Sequence, residues 1–462
     1  MAITRRFFIG GAAVFGAFGG LRLVGAPNFR RDGKPNLRFG VVSDIHIRYI
    51  DRDGKEAQGW GSNATFHRAL EWFRAQNVDA VVIAGDMADY GLTDDLEAVV
   101  QAWQDVFPND RYPDGRPVEK VFIYGNHDFL GYLYGNAVEK RFPDEKERVK
   151  HILRADLKGN WRKFFHEDYS RLYAKEIKGY RFVAQHWDDG TGMETRYGWG
   201  EGHLGEGLDA YFKAHGKAID PSRPFFYVQH PHLKDTCYGS WAWGHDNGGA
   251  TRALSAYPNA IALSGHSHYS LTDERSVWQG AFTSIGTSSL RYGGSAGQYE
   301  QRQGMLVKVY EDRVVIVRRD FLHDESLGDD WIIPLPAADA KPFAYDVRKA
   351  KGSAPEFAAD AKLAVTREEK GWLVTIPCAD AAATRAFRYE IATGLKDKDG
   401  KALTFRAYDA KYNMPRFMSG APTKYLVKDE ALPKGADGKA LAPKIVVTPL
   451  GCFGNRGKAL SA

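Results

Sequence analysis

The sequence predicts an α/β protein, with a large first domain built on mixed β-sheets and a smaller β-rich domain after it. From Leu37 onward, short apolar runs alternate with segments of helical periodicity, which is typical of a layered α/β fold. Beyond about residue 358 the apolar runs have strand character only. A chain of 462 residues is too long for one ordinary core, so two domains and a targeting segment are expected.

The first 26 residues have the pattern of an export signal. An arginine pair, Arg5 and Arg6, precedes a weakly apolar, glycine-rich stretch that reaches Leu21. This pattern resembles a twin-arginine signal and implies transport by the twin-arginine machinery to the periplasm or cell envelope. A fraying N-terminal helix is the alternative. A cleavage site is expected just before Pro27, and an uncut segment would act as a membrane anchor.

Charge and composition exclude some partners. The formal charge is +5, and removing the predicted signal with its three arginines leaves +2 (5 minus 3). Because the remaining chain is nearly neutral, no nucleic-acid partner is expected. Apolar residues make up 44% and charged residues 26%, as in ordinary soluble proteins.

The three cysteines form no CxxC motif. In an oxidising compartment one pair would bridge and leave one thiol over. Cys378 and Cys452 both fall in the C-terminal part, so they are the expected pair.

The predicted first domain covers residues 35–324. Its helices are expected in NATFHRALEWFRAQN, in DDLEAVVQAWQDVF and, with less regular patterns, near residues 146–177 and 205–214. Its predicted strands are LRFGVVSD, DAVVIAGD, VEKVFIYGNHD, YRFVAQHW, PFFYVQHPH, AIALSGHSH and AFTSIGTSS.

Residues 325–357 are rich in proline and alanine and are interpreted as a linker. Residues 358–462 follow as a C-terminal domain with five strand-like runs, WLVTI, FRYEIA, LTFRAYD, KYLVKD and PKIVVTP. Polar and apolar residues alternate in FRYEIA, which is the strand period. A small β-sandwich is predicted, and a docking module for a partner or polysaccharide is one interpretation of it.

Five polar clusters come at the ends of predicted strands. Because the carboxyl ends of strands point to a common crevice, residues far apart in sequence can converge there. Carboxylates, an amide and several imidazoles together suit a pair of divalent metal ions, since one carboxylate can bridge both. The clusters are Asp44-Ile45-His46, Asp86-Met87-Ala88-Asp89, Asn126-His127-Asp128, His230-Pro231-His232 and His266-Ser267-His268.

In this order the clusters match D-x-H, G-D-x-x-D, G-N-H-D, a strand-terminal H and G-H-x-H. From about Leu37 to Tyr310 the sequence therefore resembles the calcineurin-like metallophosphoesterase superfamily. The resemblance implies a four-layer αββα sandwich with two mixed β-sheets. It also implies hydrolysis of phosphomonoesters or phosphodiesters.

Two ligand sets follow from the resemblance. Manganese, iron and zinc all suit a coordination shell of Asp, Asn and His side chains. His230 is preferred to His232 because it directly follows the strand, and His232 is the alternative. One ion would be held by Asp44, His46, Asp86 and His268, and the other by Asp86, Asn126, His230 and His266.

The implied mechanism is attack on phosphorus by hydroxide from water bound to the two ions. By resemblance His127 faces the substrate, where it stabilises the phosphoryl group or protonates the leaving oxygen. Asp89 would hold the second nitrogen of His127, with capping of the helix near Thr93 as its alternative role. Asp128 is an alternative to His127.

The substrate is expected to be a small-molecule, lipid or nucleotide phosphoester. Trp241 and Trp243 lie in the loop between two ligand-bearing strands, where their rings would stack on a base, sugar or headgroup. Pinning of that loop to the domain is the alternative. Arg48 and Tyr90, each just past a motif, are further pocket candidates. The alternative function is a non-catalytic, metal-stabilised binding protein of the cell envelope.

Overall fold

The computed structural model describes residues 33–56, 61–188, 202–239, 243–293, 301–379, 384–409, 412 and 422–462. The chain divides into two units, Met1–Gly33 and Lys34–Ala462, and the description below concerns the second. The predicted signal segment and Trp241 lie outside the described residues. Within these ranges, every helix is too short or too polar to span a bilayer.

The described part of the chain alternates helices and strands up to α8 and is mostly strands afterwards. Its helices are Gly61–Ala75 (α1), Thr93–Val106 (α2), Asn126–Leu130 (α3), Ala137–Arg141 (α4), Glu145–His151 (α5), Leu157–Phe165 (α6), Gly202–His215 (α7), Gly249–Leu254 (α8) and Tyr345–Lys351 (α9). Its strands in the first half are Leu37–Val42 (β1), Ala80–Ala84 (β2), Glu119–Ile123 (β3), Leu172–Ile177 (β4), Tyr180–Gln185 (β5), Phe225–Val228 (β6), Ala260–Ser264 (β7), Val277–Gln279 (β8) and Thr283–Gly286 (β9). Those in the second half are Gln303–Val309 (β10), Arg313–Asp320 (β11), Glu325–Ser326 (β12), Trp331–Pro334 (β13), Ala364–Glu368 (β14), Gly371–Ile376 (β15), Arg388–Lys396 (β16), Ala402–Tyr408 (β17), Thr423–Lys428 (β18), Val446–Leu450 (β19) and Leu460–Ser461 (β20).

Two mixed sheets carry the first part of the chain. The first has the order β12-β11-β10-β1-β2-β3, with β13 paired to β11. Its strands β1, β2 and β3 are parallel, and β10 runs antiparallel to β1. The second has the order β4-β5-β6-β7-β9-β8, in which β5, β6, β7 and β9 are parallel. The prediction of an α/β fold with mixed sheets is confirmed.

The sheets share an apolar core. Phe39 of β1 meets Phe182 of β5 and Phe226 of β6 in edge-to-face contacts, with ring centroids 5.1 and 4.7 Å apart. These strands are buried on both faces, which explains their nearly continuous apolar sequences. Two further buried clusters join the first sheet to α1, α2 and α6, and the second sheet to α7 and α8.

Two segments differ from the sequence prediction. Residues 172–177, expected to be helical, form β4, because Lys178 and Gly179 both adopt positive φ and make a tight hairpin turn to β5. The predicted linker 325–357 contains β12, β13 and α9. In β13, Trp331 and Ile333 are buried and Ile332 is exposed, so the strand continues the first sheet past the predicted boundary at Asp324.

Two smaller sheets form the C-terminal part, β14-β15-β18 and β17-β16-β19-β20. Tyr389, Ile391 and Val447 from one sheet and Val374 from the other lie in a single buried cluster. The expected disulfide is wrong: no bond joins any two of the three cysteines, all of which the structure describes. The thiol of Cys452 instead donates to Glu274 Oε2 at 3.3 Å.

Candidate metal centre

The predicted ligands follow strands of both sheets. Asp44, Asp86 and Asn126 come after β1, β2 and β3 of the first sheet, while His230 and His266 come after β6 and β7 of the second. Since these strands are parallel within each sheet, their carboxyl ends lie on one side. The two sheets therefore present their polar residues to a common site.

Five of the predicted ligands have left-handed backbone conformations. Non-glycine residues adopt positive φ at a cost, and such strain gathers at functional sites where the surroundings over-determine it. Here the strain turns each side chain sharply away from the strand that precedes it. The five are Asp44 (φ 52°), His46 (48°), Asp86 (55°), His266 (73°) and His268 (54°).

Glycines at the motifs allow the ligands to approach closely. A Cβ at Gly125 would collide with Asp86 Oδ1 and lie 2.8 Å from His230 Cγ. A Cβ at Gly265 would collide with Asp44 Oδ2 and lie 2.7 Å from Ser43 Oγ. Both positions therefore need glycine because ligand side chains occupy the space of a methyl group.

Substituting Gly265 tests this packing. We expect Gly265→Ala to lower affinity for divalent metal by about 10-fold or more, as displacing a ligand's support does. In Gly115→Ala, the new Cβ would meet nothing within 4 Å and only the positive φ of 84° is strained. That control should keep its metal affinity and lose about 1–3 kcal/mol of stability. Titration of both variants with Mn²⁺ checks the difference; equal affinities would contradict it.

One group of possible ligands consists of Asp44, His46 and His268, whose ligand atoms all lie within 4.8 Å of one another. His268 Nε2 is 2.9 Å from Asp44 Oδ1 and 3.1 Å from His46 Nε2. Ligands on bonds of roughly 2.1 Å to one ion stand about 3.0–3.4 Å apart. The spacing therefore suits a shared cation.

The second group consists of Asp86, His230 and His266. His230 Nδ1 lies 2.7 Å from the carbonyl oxygen of Ala84, so Nδ1 carries the proton and Nε2 presents a lone pair. That Nε2 faces Asp86 Oδ2 at 3.0 Å. In the neutral ring Nε2 has a lone pair available, and a separation of 3.0 Å suits two ligands of one cation.

Asn126 completes this second group. Its Nδ2 donates to Tyr134 OH at 3.1 Å, which orients the amide. Its Oδ1 is buried and has no hydrogen-bond partner among the described residues. A buried amide oxygen without a donor is costly, and coordination of a metal would satisfy it. The donor set therefore fits the predicted metal.

Asp86 connects the two groups through one oxygen. Its Oδ1 accepts the backbone N–H of His127 at 2.7 Å. Its Oδ2 faces His230 and also lies 3.8 Å from His46 Nε2. This geometry suits the bridging role predicted for Asp86.

The buried carboxylates make the centre strongly attractive to cations. Although burial opposes both effects, His268 and His46 hold the pKa of Asp44 well below its usual range, and His230 lowers that of Asp86. Burial lowers the pKa of both histidines, but the carboxylates near them have the larger effect. Asp44 and Asp89 raise the pKa of His46 to about 10. Asp86 raises the pKa of His230 to about 9. These directions show a negative potential that favours any cation.

His127 and Asp89 lie together beside His46 of the first group and the shared Asp86. His127 Nδ1 is 2.8 Å from the carbonyl oxygen of Asp89 and 3.3 Å from its carboxylate. The same carboxylate accepts from His46 Nδ1 at 3.0 Å and from Arg48 Nε. Although burial raises it, hydrogen bonds from His127 and His46 hold the pKa of Asp89 well below its usual range. Asp89 thus orients two imidazoles, and Asp95, three residues past the N-cap Leu92, caps the helix that begins at Thr93.

The alternatives left open by the sequence have clear positions. Asp128 is buried and accepts from Ala88 N at 2.7 Å and Gly125 N at 2.8 Å, so it holds the loops rather than facing a substrate. Burial raises its pKa to about 7. Both nitrogens of His232 contact serine hydroxyls, Ser264 Oγ at 2.8 Å and Ser267 Oγ at 2.5 Å. His232 is thus occupied by hydrogen bonds, whereas His230 faces Asp86.

The predicted pocket residues are divided between the site and its surroundings. Trp243 is 57% exposed and stacks on His266 with centroids 4.7 Å apart. Arg48 is bound to Asp89 and lies over the ring of Tyr90, which is buried. Tyr90 therefore packs beneath Arg48 and is not open to a ligand.

Three residues at the site were missed by the sequence analysis. Tyr292 is 44% exposed and its ring lies 4.4 Å from that of His268. Tyr134 is exposed and contacts Asn126 and the ring of His127. Arg291 donates to the carbonyl oxygen of His46. No local motif marks any of them, because their positions depend on packing between distant loops.

Comparison with known proteins agrees with this site. The family model for calcineurin-like phosphoesterases matches residues 37–270. The chain therefore belongs to the calcineurin-like phosphoesterase family, and membership supports a hydrolase of phosphate esters.

Solved structures with similar folds have low identity. A dimetal phosphatase from Danio rerio is 14% identical over 65% of this chain and 99% of its own, with a TM-score of 0.38. Purple acid phosphatase PPD1 from yellow lupin seeds is 14% identical over 66% of this chain and 56% of its own, with a TM-score of 0.40. GAP50, the anchor in the inner membrane complex of Plasmodium, is 12% identical over 65% and 88%, with a TM-score of 0.38. A search of curated proteins gave no match.

Proposed function

We propose that this protein is an exported phosphoesterase that hydrolyses phosphomonoesters or phosphodiesters with two divalent metal ions. The observation that carries the proposal is Asp86, whose Oδ2 faces ligand atoms of both groups. Asp44, His46 and His268 would hold one ion with Asp86. Asn126, His230 and His266 would hold the other with it.

When bound, such a pair of ions supplies hydroxide from water at neutral pH and neutralises charge on the phosphoryl oxygens. His127 would act on the substrate from beside the pair. Its Nδ1 proton is directed to the carbonyl oxygen of Asp89, so Nε2 is the nitrogen left to face a phosphoryl or leaving oxygen. The carboxylate of Asp89, 3.3 Å from the same Nδ1, keeps the ring in this orientation.

Further proposals concern the substrate, the order of helix and sheet layers, and the export of the protein. Trp243 and Arg48 would contact the non-reacting part of a small-molecule, lipid or nucleotide phosphoester, and Trp241 would join them. The αββα layer order is supported by the apolar cluster that both sheets share and by the helix-bearing clusters on their other faces. Export through the twin-arginine pathway is proposed from Arg5 and Arg6.

Metal removal tests the proposal. We expect purified protein to contain two divalent ions per chain, and chelation to abolish hydrolysis and lower thermal stability. Ligand binding at 100 times its Kd contributes about 2.7 kcal/mol, so the melting shift should be large. A panel of mono- and diesters, with metal content measured on the same sample, gives the activity. Protein that binds metal but hydrolyses no ester would instead support the non-catalytic binding protein.

A further inference from the structure

Residues after position 340 contact the short segment that follows the GHSH motif. This segment, Thr272–Arg275, begins four residues after His268 and is called the 272–275 segment below. Its backbone and side chains are bonded by residues from α9 and from the loops beside β16 and β19. Arg385 Nη2 donates to Thr272 O at 2.8 Å, Tyr345 OH to Arg275 O at 2.5 Å, Arg348 Nη1 to Glu274 O, and Cys452 Sγ to Glu274 Oε2 at 3.3 Å.

A buried ion pair fixes the shape of the 272–275 segment. Arg275 donates from Nε to Asp273 Oδ1 at 2.9 Å and from Nη2 to Asp273 Oδ2 at 2.5 Å. The guanidinium lies 4.0 Å from the ring centroid of Phe387, which belongs to the C-terminal part. A buried pair is stabilising only in excellent geometry, and Phe387 packs directly against the guanidinium of this one.

The 272–275 segment is in turn linked to the metal-binding histidines. Asp273 N donates to Ser270 O at 3.0 Å, and Gln303 Oε1 accepts from Leu271 N at 2.7 Å. Gln301 Nε2 donates to the carbonyl oxygen of His268 at 2.9 Å. The path from His268 to Arg275 is therefore held along its length. This matters because His266 and His268 have strained positive φ, which persists only where the surroundings impose it.

We infer that the region after residue 340 positions His266 and His268 for metal binding by holding the 272–275 segment. Arg385 and Tyr345 are the principal positioning residues, and neither lies among the predicted metal ligands. The C-terminal domain is then a support of the metal centre rather than a separable docking module. This inference rests on the metal centre of the proposed function.

Arg385 gives the sharpest test because its guanidinium bonds two carbonyl oxygens, Thr272 O at 2.8 Å and Tyr412 O at 2.7 Å. In the full chain, we expect Arg385→Ala to weaken Mn²⁺ binding to chelator-treated protein by about 10-fold, as loss of a ligand's support does. The turnover rate should return at saturating Mn²⁺. Arg385→Lys, which cannot span both carbonyls, should weaken binding less than the alanine variant. The control Arg456→Ala removes two bonds to half-buried Glu390, at 2.7 and 3.2 Å, and should leave Mn²⁺ affinity unchanged.

Tyr345→Phe is the second variant, since it removes only one hydroxyl and keeps the ring. This variant should also weaken Mn²⁺ binding. Without metal, its melting temperature should stay close to that of Arg456→Ala. If Arg385→Ala does not fold, Tyr345→Phe provides the test. Parent-like Mn²⁺ affinity in the folded Arg385→Ala or Tyr345→Phe variant overturns this inference and leaves the metal centre standing. A parent protein that binds no divalent cation overturns the proposed function and this inference together.

Discussion

Asp86→Asn is expected to remove bound metal and ester hydrolysis together. The carboxylate of Asp86 is the group that faces both sets of ligand atoms, and an amide supplies no negative charge to balance two cations. Loss of a residue that only supports a ligand costs about 10–100-fold in affinity, so loss of the shared ligand should cost at least roughly 100-fold. Metal content by elemental analysis and turnover of an aryl phosphate, measured on one sample, check this.

Asp79→Asn provides a control at the other end of the same strand. Asp79 comes just before β2, whereas Asp86 follows it, and its side chain, 14% exposed, accepts the backbone N–H of Arg38 at 2.9 Å. This control should lose stability and keep two ions per folded chain. If Asp86→Asn also retained two ions, the bridging assignment would be wrong.

His127→Ala should give the opposite pattern, with metal retained and turnover lost. His127 lies beside the ligands, and its contact with Asp86 is made by its backbone N–H, which alanine keeps. Proton transfer by a positioned side chain contributes about 10²–10⁴-fold, so turnover of esters with poor leaving groups should fall by that factor. Activated aryl esters should be affected less, because their leaving oxygens need no proton. Rates for a series of leaving groups, with metal content, measure the effect.

His151→Ala is the control for His127. His151 has a similar exposure, 28% against 23%, and its Nδ1 lies 3.0 Å from an aspartate oxygen of Asp94, away from the centre. The His151→Ala variant should hydrolyse every ester at the rate of the parent protein. A leaving-group dependence that is the same for parent and His127→Ala would exclude a protonating role for His127.

Much of the fold and of the candidate site follows from local sequence signals. Segments such as DAVVIAGD contain an apolar run rich in β-branched residues, which ends at a glycine and an aspartate. Both the strand and the turn after it are determined by a few neighbouring residues. The central strand β10, which pairs with β1, and the linker strand β13 were missed. Strand β10 pairs with β1, where Val41 lies opposite Met305, and no local pattern reports so distant a contact. Strand β13 lies in a stretch whose prolines and alanines indicated a linker.

The sequence by itself determined the ligand types, their order and their positions after buried strands, because a strand and a glycine turn are short-range structures. Only the tertiary structure decided that His230 faces Asp86 while His232 is bonded to Ser264 and Ser267. It also decided that Asp128 holds loops and that Tyr292 lies against His268. These outcomes depend on contacts between loops that are separate in sequence, and the longest join residues more than 200 positions apart, as His266 N does with Asp44 Oδ1 at 3.1 Å.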